Sequence, residues 1–118
     1  MMGRRNILKE KTYAFALRII KLYKYLKSKK ESIMSGQLLR SGTAIGAMVY
    51  EAEFGQSKAD FISKLSIGLK EANESSYWLQ LLKDSSYITE IEFESIHNDC
   101  LEIIRLLVSS INTAKRKT

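Results

Sequence analysis

The chain carries one histidine and one cysteine, and their placement decides which chemistries are open to it. Glu94, Ser95, Ile96 and His97 match the Glu-x-x-His spacing that turns a carboxylate and an imidazole toward one metal pair in di-iron carboxylate bundles. Such a centre needs a second motif and two further carboxylates from facing helices. With His97 as the sole histidine that set cannot be assembled, so a surface glutamate beside a boundary histidine is expected, with no metal and no cofactor. Cys100 falls on an apolar seam, where a thiol packs rather than attacks. Gly42 and Gly46 lack the Lys-Ser/Thr pair that follows the glycines of a phosphate loop. No enzyme activity is expected.

The remaining chemistry is charge. Residues 1–30 hold ten Lys/Arg against one acid (+9), residues 31–110 hold six against twelve (−6), and residues 111–118 add +3, which sums to the net +6. A basic block of this kind attracts nucleic-acid phosphates, anionic lipid or the acidic surface of a neighbouring subunit. The candidate nucleic-acid contacts are Arg4, Arg5, Lys11, Arg18, Lys21, Lys24 and Lys27. Without the aromatic and basic motif of a dedicated single-strand module, binding to RNA or DNA is expected to be electrostatic and tolerant of shape. The competing expectation is a protein-protein adaptor whose basic face meets an acidic partner.

Four helices must position these groups. The chain has no proline, and four apolar periodicities separated by short polar runs predict an all-α, antiparallel up-down-up-down four-helix bundle in one domain, residues 1–118. Asn6 is expected to cap a first helix over 7–28 with the seam Leu8, Phe15, Ile19, Leu22 and Leu26. The run Lys27 to Ser32 reads as a loop. A second helix over 36–54 ends at Gly55 in a left-handed cap, and Ser57 with Asp60 opens a third over 58–83. The third seam is Phe61, Leu65, Gly68, Ala72, Ser75, Leu79 and Leu82. Thr89 with Glu92 forms a capping box for a fourth helix over 90–112, with the seam Phe93, Ile96, Cys100, Ile103 and Leu107 and a frayed tail.

The second helix organises the others. From Leu38 to Phe54 it has no wide polar face, and Gly42 and Gly46 make it thin enough for close approach, with the small residues of the third helix expected to receive it. Its uncharged run between Arg40 and Glu51 is ten residues, too short to span a bilayer. Arg40 and Glu51 are expected to form structural charged pairs with an adjacent helix or subunit, Glu51 with Lys64 or Lys70. Closing one bundle leaves Tyr13, Leu17 and Ile20 on the first helix and Ile67, Trp78 and Leu81 on the third, which marks them as an oligomer interface. The lone cysteine and the lack of an apolar signal core or membrane-length segment predict a cytoplasmic protein.

Several of these residues form an ordered series. Gln37 to Gly42, Ala44 to Ala47, Glu51-Ala52, Ser57-Lys58, Asp60 to Ile62, Leu69 to Ala72 and Glu74 through Tyr77-Trp78-Leu79 resemble, in order and spacing over residues 12–112, the bacterial four-helix-bundle family also called 23S ribosomal RNA intervening-sequence proteins. A relative is the accessory variability protein of diversity-generating retroelements. The resemblance implies an antiparallel bundle assembling as a homopentameric ring, with a basic surface that in the retroelement relative is associated with nucleic acid and reverse transcriptase. Ala44 and Met48 stand where the family usually has serine and asparagine, which removes two hydrogen-bonding groups from the second helix.

Overall fold

The computed structural model describes the backbone of residues 2–117 and the side chains of residues 7–117. Four helices follow one another: α1 (Met2–Ser28), α2 (Met34–Glu53), α3 (Lys58–Asp84) and α4 (Glu90–Arg116), with no strand among the described residues. Contacts between neighbours run in opposite directions along the chain. Lys9 meets Glu53 while Ile19 meets Gly42; Arg40 meets Glu71 while Glu51 meets Lys64; Ala72 meets Cys100 while Lys83 meets Glu90; and Lys11 meets Glu102 while Arg18 meets Asp99. Every adjacent pair is therefore antiparallel, closing an up-down-up-down bundle of 49 × 22 × 19 Å.

The four seams meet on its axis. Phe15, Ile19 and Leu26 of α1, Leu38 and Ile45 of α2, Leu65, Leu79 and Leu82 of α3, and Cys100, Ile103 and Leu107 of α4 are all buried. Each such large aliphatic or aromatic side chain contributes about 1.5–3 kcal/mol relative to exposure. Leu22 and Phe61, expected on the axis, are half-buried at its edge.

The small residues of α2 work differently from the expectation. A Cβ on Gly42 would lie 2.9 Å from Ile19 Cγ1, and one on Gly46 would lie 3.4 Å from the Thr12 carbonyl oxygen, so both glycines face α1. The approach to α3 is made by Gly68, whose Cβ would stand 3.4 Å from Met48 Cβ, and by Ser41 and Ser75, whose hydroxyls are 2.9 Å apart in the core. Nor is α2 enclosed on all sides. Ala47 and Tyr50 lie on an outward face, because a helix in a four-membered ring always turns one side to solvent.

The helix ends also depart from the expected chemistry. The first helix starts at Met2, so Asn6 lies inside it, and the side chain of Asn6 is outside the described residues. Gly55 is not left-handed; among the described residues the two with positive φ are Lys30 and Ser86, both at φ 70°. Gly55 is small for another reason, since a Cβ there would come within 3.1 Å of the Ala52 carbonyl oxygen and of Asp60 Oδ2. Ser57 Oγ accepts from the Asp60 amide at 3.0 Å, but the Asp60 carboxylate reaches Gln56 rather than Ser57, so only half the expected box forms. The Thr89 and Glu92 box is complete, with bonds of 2.8 and 3.1 Å, and α4 runs on as helix to Arg116.

The cap of α2 comes from inside the expected loop. Glu31 is only 6% exposed, and its carboxylate accepts from the backbone amides of Ile33, Met34 and Ser35 at 2.9, 3.0 and 2.8 Å. Burial pushes its pKa up, but the amides of Ser35, Met34 and Ile33 together overcome that and hold it below the usual carboxylate value.

Candidate nucleic-acid interface

The basic residues of α1 divide into two groups once the helices are packed. Lys9 and Lys11 pair with Glu53 and Glu102 at 3.0 and 3.2 Å. Arg18 is held most fully: Nη1 donates to Asp99 Oδ2 at 2.6 Å and to the Ser95 carbonyl at 3.3 Å, and Nη2 donates to Ser95 Oγ at 2.9 Å. Lys11 and Arg18 thus lie across the boundary with α4 and are committed to it, although partly exposed pairs of this kind contribute only up to about 1 kcal/mol each. Arg4 and Arg5 have side chains outside the described residues.

The second group is free of carboxylates. Lys21, Lys24, Lys27, Lys29 and Lys30 are all exposed and make no ion pair among the described residues. They crowd the last two turns of α1 and the turn into α2. The ammonium groups of Lys27 and Lys29 sit over the Tyr23 and Tyr25 rings at 5.9 and 5.6 Å. Lys29 and Lys30 continue the run past the end of α1.

The charged residues of α2 are tied to α3. Arg40 Nη1 donates to Glu71 Oε1 at 3.2 Å and Nη2 bonds Glu74, whose Oε2 also accepts from Trp78 Nε1 at 3.0 Å. The Trp78 hydrogen bond and then Arg40 hold the Glu74 carboxyl below its usual pKa, and Glu74 in turn raises that of Arg40. Glu51 meets Lys64 at 3.5 Å; Lys70 is exposed and takes no part in that pair.

The leftover apolar residues are unequal. Tyr13, Leu17 and Ile67 are 68%, 52% and 42% exposed, while Ile20, Trp78 and Leu81 are half-buried, Trp78 against the core of its own bundle. Tyr50 and Phe54 add an exposed aromatic pair with ring centroids 5.2 Å apart. Beside them a shallow groove between α1 and α2 is lined by Tyr13, Ala16, Ala47 and Tyr50. Sequence alone does not reveal Tyr50 and Phe54 as surface, because they belong to the helix expected to be enclosed.

One pairing looks catalytic at first sight. Ser76 Oγ lies 2.7 Å from His97 Nε2, within reach of a nucleophile and its base. His97 stacks on Phe93 at 4.5 Å, and burial and then Lys83 lower its pKa, which weakens it as a base. Both residues also stand in helix interiors, where backbone amides are committed to the helix and offer no oxyanion hole. Glu94 is exposed, and among the described residues no three His, Cys, Asp or Glu side chains converge on a metal position. Burial pushes the Cys100 thiol up to about 12, and its Sγ donates to the Ala72 carbonyl at 3.3 Å. Among the described residues no helix is long and apolar enough to cross a membrane.

The fold and sequence have a close counterpart. A crystal structure from Bacteroides thetaiotaomicron, described as a protein with unknown function from the S23 ribosomal protein family, is similar at 55% identity and TM-score 0.91, over 92% of this chain and 98% of that one. No curated protein matches. Residues 4–109 match the 23S rRNA-intervening sequence protein family, and the chain belongs to that family.

Proposed function

We propose that the protein is a non-enzymatic, oligomeric bundle that binds structured RNA or other nucleic acid through the end of α1 and the turn into α2. The observation that carries this reading is the cluster Lys21, Lys24, Lys27, Lys29 and Lys30, exposed and unpaired among the described residues. Unpaired lysines release counterions on meeting phosphates, whereas Lys11 and Arg18 would first have to leave their carboxylates. In a ring of the kind the family resemblance implies, such a cluster would recur in every subunit and add weak contacts by avidity.

Replacing Lys21, Lys24 and Lys27 together by Gln tests it. Affinity for duplex and hairpin RNA should fall alike, and the slope of log K against log salt should flatten by up to about 2.7, that is ~0.9 for each phosphate no longer neutralised. Arg18 is left in place because its loss would loosen α1 from α4. Binding insensitive to salt, or unchanged in the triple variant, would favour the second reading, a homo-oligomeric protein adaptor. That reading is supported by the exposed Tyr13, Leu17, Tyr50, Phe54 and Ile67. Tyr13→Glu should then lower the mass measured by light scattering without loss of helix signal.

A further inference from the structure

The bundle ends in two unlike halves where α1 turns into α2 and α3 turns into α4. Antiparallel packing puts residues 29–33 and residues 85–89 at the same end, above the core residues Leu26 and Ile88 and along opposite edges of the four-helix ring. Ile33 in the first turn and Ile91 just past the second are 82% and 79% exposed, more than any other large apolar side chain among the described residues. Each has an exposed tyrosine in its own half, Tyr25 or Tyr87. The halves differ in charge. Lys29 and Lys30 stand beside Ile33, and the one acid there, Glu31, is buried on the amides that open α2. Asp84, Glu90, Glu92 and Glu94 flank Ile91 in the chain against Lys83 alone, and the side chains of Asp84 and Glu90 remain 72% and 65% exposed beside that lysine. One edge of the tip is therefore basic and apolar, the opposite edge acidic and apolar.

We propose that this tip pairs with the same tip of a second copy, head to head about a two-fold axis that lies in the contact plane between the two turns. That axis lays the basic edge of each copy on the acidic edge of the other, so Lys29 and Lys30 meet Asp84 and Glu90 at two equivalent contacts and Ile33 is covered with Ile91. Charge selects this occupant. An anionic membrane or a nucleic acid would attract the lysines but be repelled by the four carboxylates, and a cationic partner would meet the reverse conflict. A surface divided in the same way satisfies both edges, and a second copy supplies one. The bundle's cross-section of 22 × 19 Å keeps the buried face below the ~800 Å² per partner of a standard interface, so the pairing is weak and concentration-dependent. It goes beyond the nucleic-acid reading and does not rest on it, since Lys21 and Lys24 lie one to two turns back along α1 and stay open to phosphates.

Sedimentation of the full chain across a concentration series, without nucleic acid, tests the proposal. The wild-type mass should rise about twofold with concentration, and added salt should push that rise to higher concentration. Lys29→Glu with Lys30→Glu, and separately Asp84→Lys with Glu90→Lys, place like charges together at both contacts. Each double variant alone should keep the lower mass while circular dichroism stays helical. Mixed in equal amounts, the two should recover the doubled mass, because every contact again joins opposite charges. Starting from +6, both variants keep a net positive charge, so gross attraction between them does not supply the recovery. Ile33→Ser removes the apolar contact at an N-cap position where serine is favoured, and should raise the concentration needed for pairing severalfold without lowering the melting temperature. A wild-type mass equal to that of both double variants at every concentration would overturn the proposal, as would a mixture that stays at the lower mass. Binding of the tip to vesicles of anionic lipid in place of pairing would assign it to a membrane and overturn the proposal as well.

Discussion

Alanine at Gly42 and alanine at Gly46 should change stability in opposite directions, although the two glycines stand one turn apart on the same helix. Against glycine, alanine in a helix interior gains about 0.5–1 kcal/mol at either position. What differs is the neighbour. At Gly42 the new methyl would lie 2.9, 3.0 and 3.3 Å from Cγ1, Cγ2 and Cβ of Ile19, a fully buried side chain whose branch point is close to its own backbone. Carbon contacts are at rest near 3.5–4.0 Å, so α1 and α2 must separate or Ile19 must leave its rotamer, and overpacking of this kind costs about 1–3 kcal/mol. The net effect of Gly42→Ala is a loss of up to about 2 kcal/mol after the propensity gain. At Gly46 the methyl would meet the Thr12 carbonyl and hydroxyl oxygens at 3.4 Å, close to ordinary contact, and most of the ~0.5–1 kcal/mol gain should survive. Urea unfolding of the two variants, with m-values equal to wild type, measures both numbers. A Gly42→Ala protein as stable as the Gly46→Ala protein would refute the packing of Ile19 against Gly42.

Glu31→Ala should cost about 1–2 kcal/mol at neutral pH through loss of the α2 cap. Because the folded-state pKa of Glu31 is depressed, its contribution is present above the unfolded value of 4.5 and is lost as pH falls through the folded pKa; the gap between the two melting curves should close there. Cys100, with its thiol pushed up to about 12, should resist a thiol-specific disulfide reagent in the native protein and react at the rate of global unfolding. Ser86→Gly should stabilise by about 0.5–1 kcal/mol, since Ser86 holds φ 70° and glycine adopts that conformation without a Cβ penalty; a lower melting temperature would contradict the turn geometry. Asp99→Asn should weaken the tie between α1 and α4 by no more than about 1 kcal/mol, read as a small shift in denaturation midpoint, because the ion pair is partly exposed.

The sequence by itself determined the helices and their seams. Leu65, Gly68, Ala72, Ser75, Leu79 and Leu82 are buried as their four-three alternation requires, and so is the fourth seam, because a helix commits each residue's direction from its number alone. The box at Thr89 and Glu92 was equally legible, being built from residues three apart. Tertiary structure decided what depends on which helix lies alongside. No spacing within α1 distinguishes Arg18, clasped by Asp99 and Ser95, from Lys21 three residues on, which meets no acid among the described residues. The same holds for Gly42 and Gly46, whose spacing foretold a close neighbour but not that α1 would supply it. Glu31 was hidden for a related reason. A lone glutamate in a polar run reads as solvated until the chain folds back and three amides converge on it.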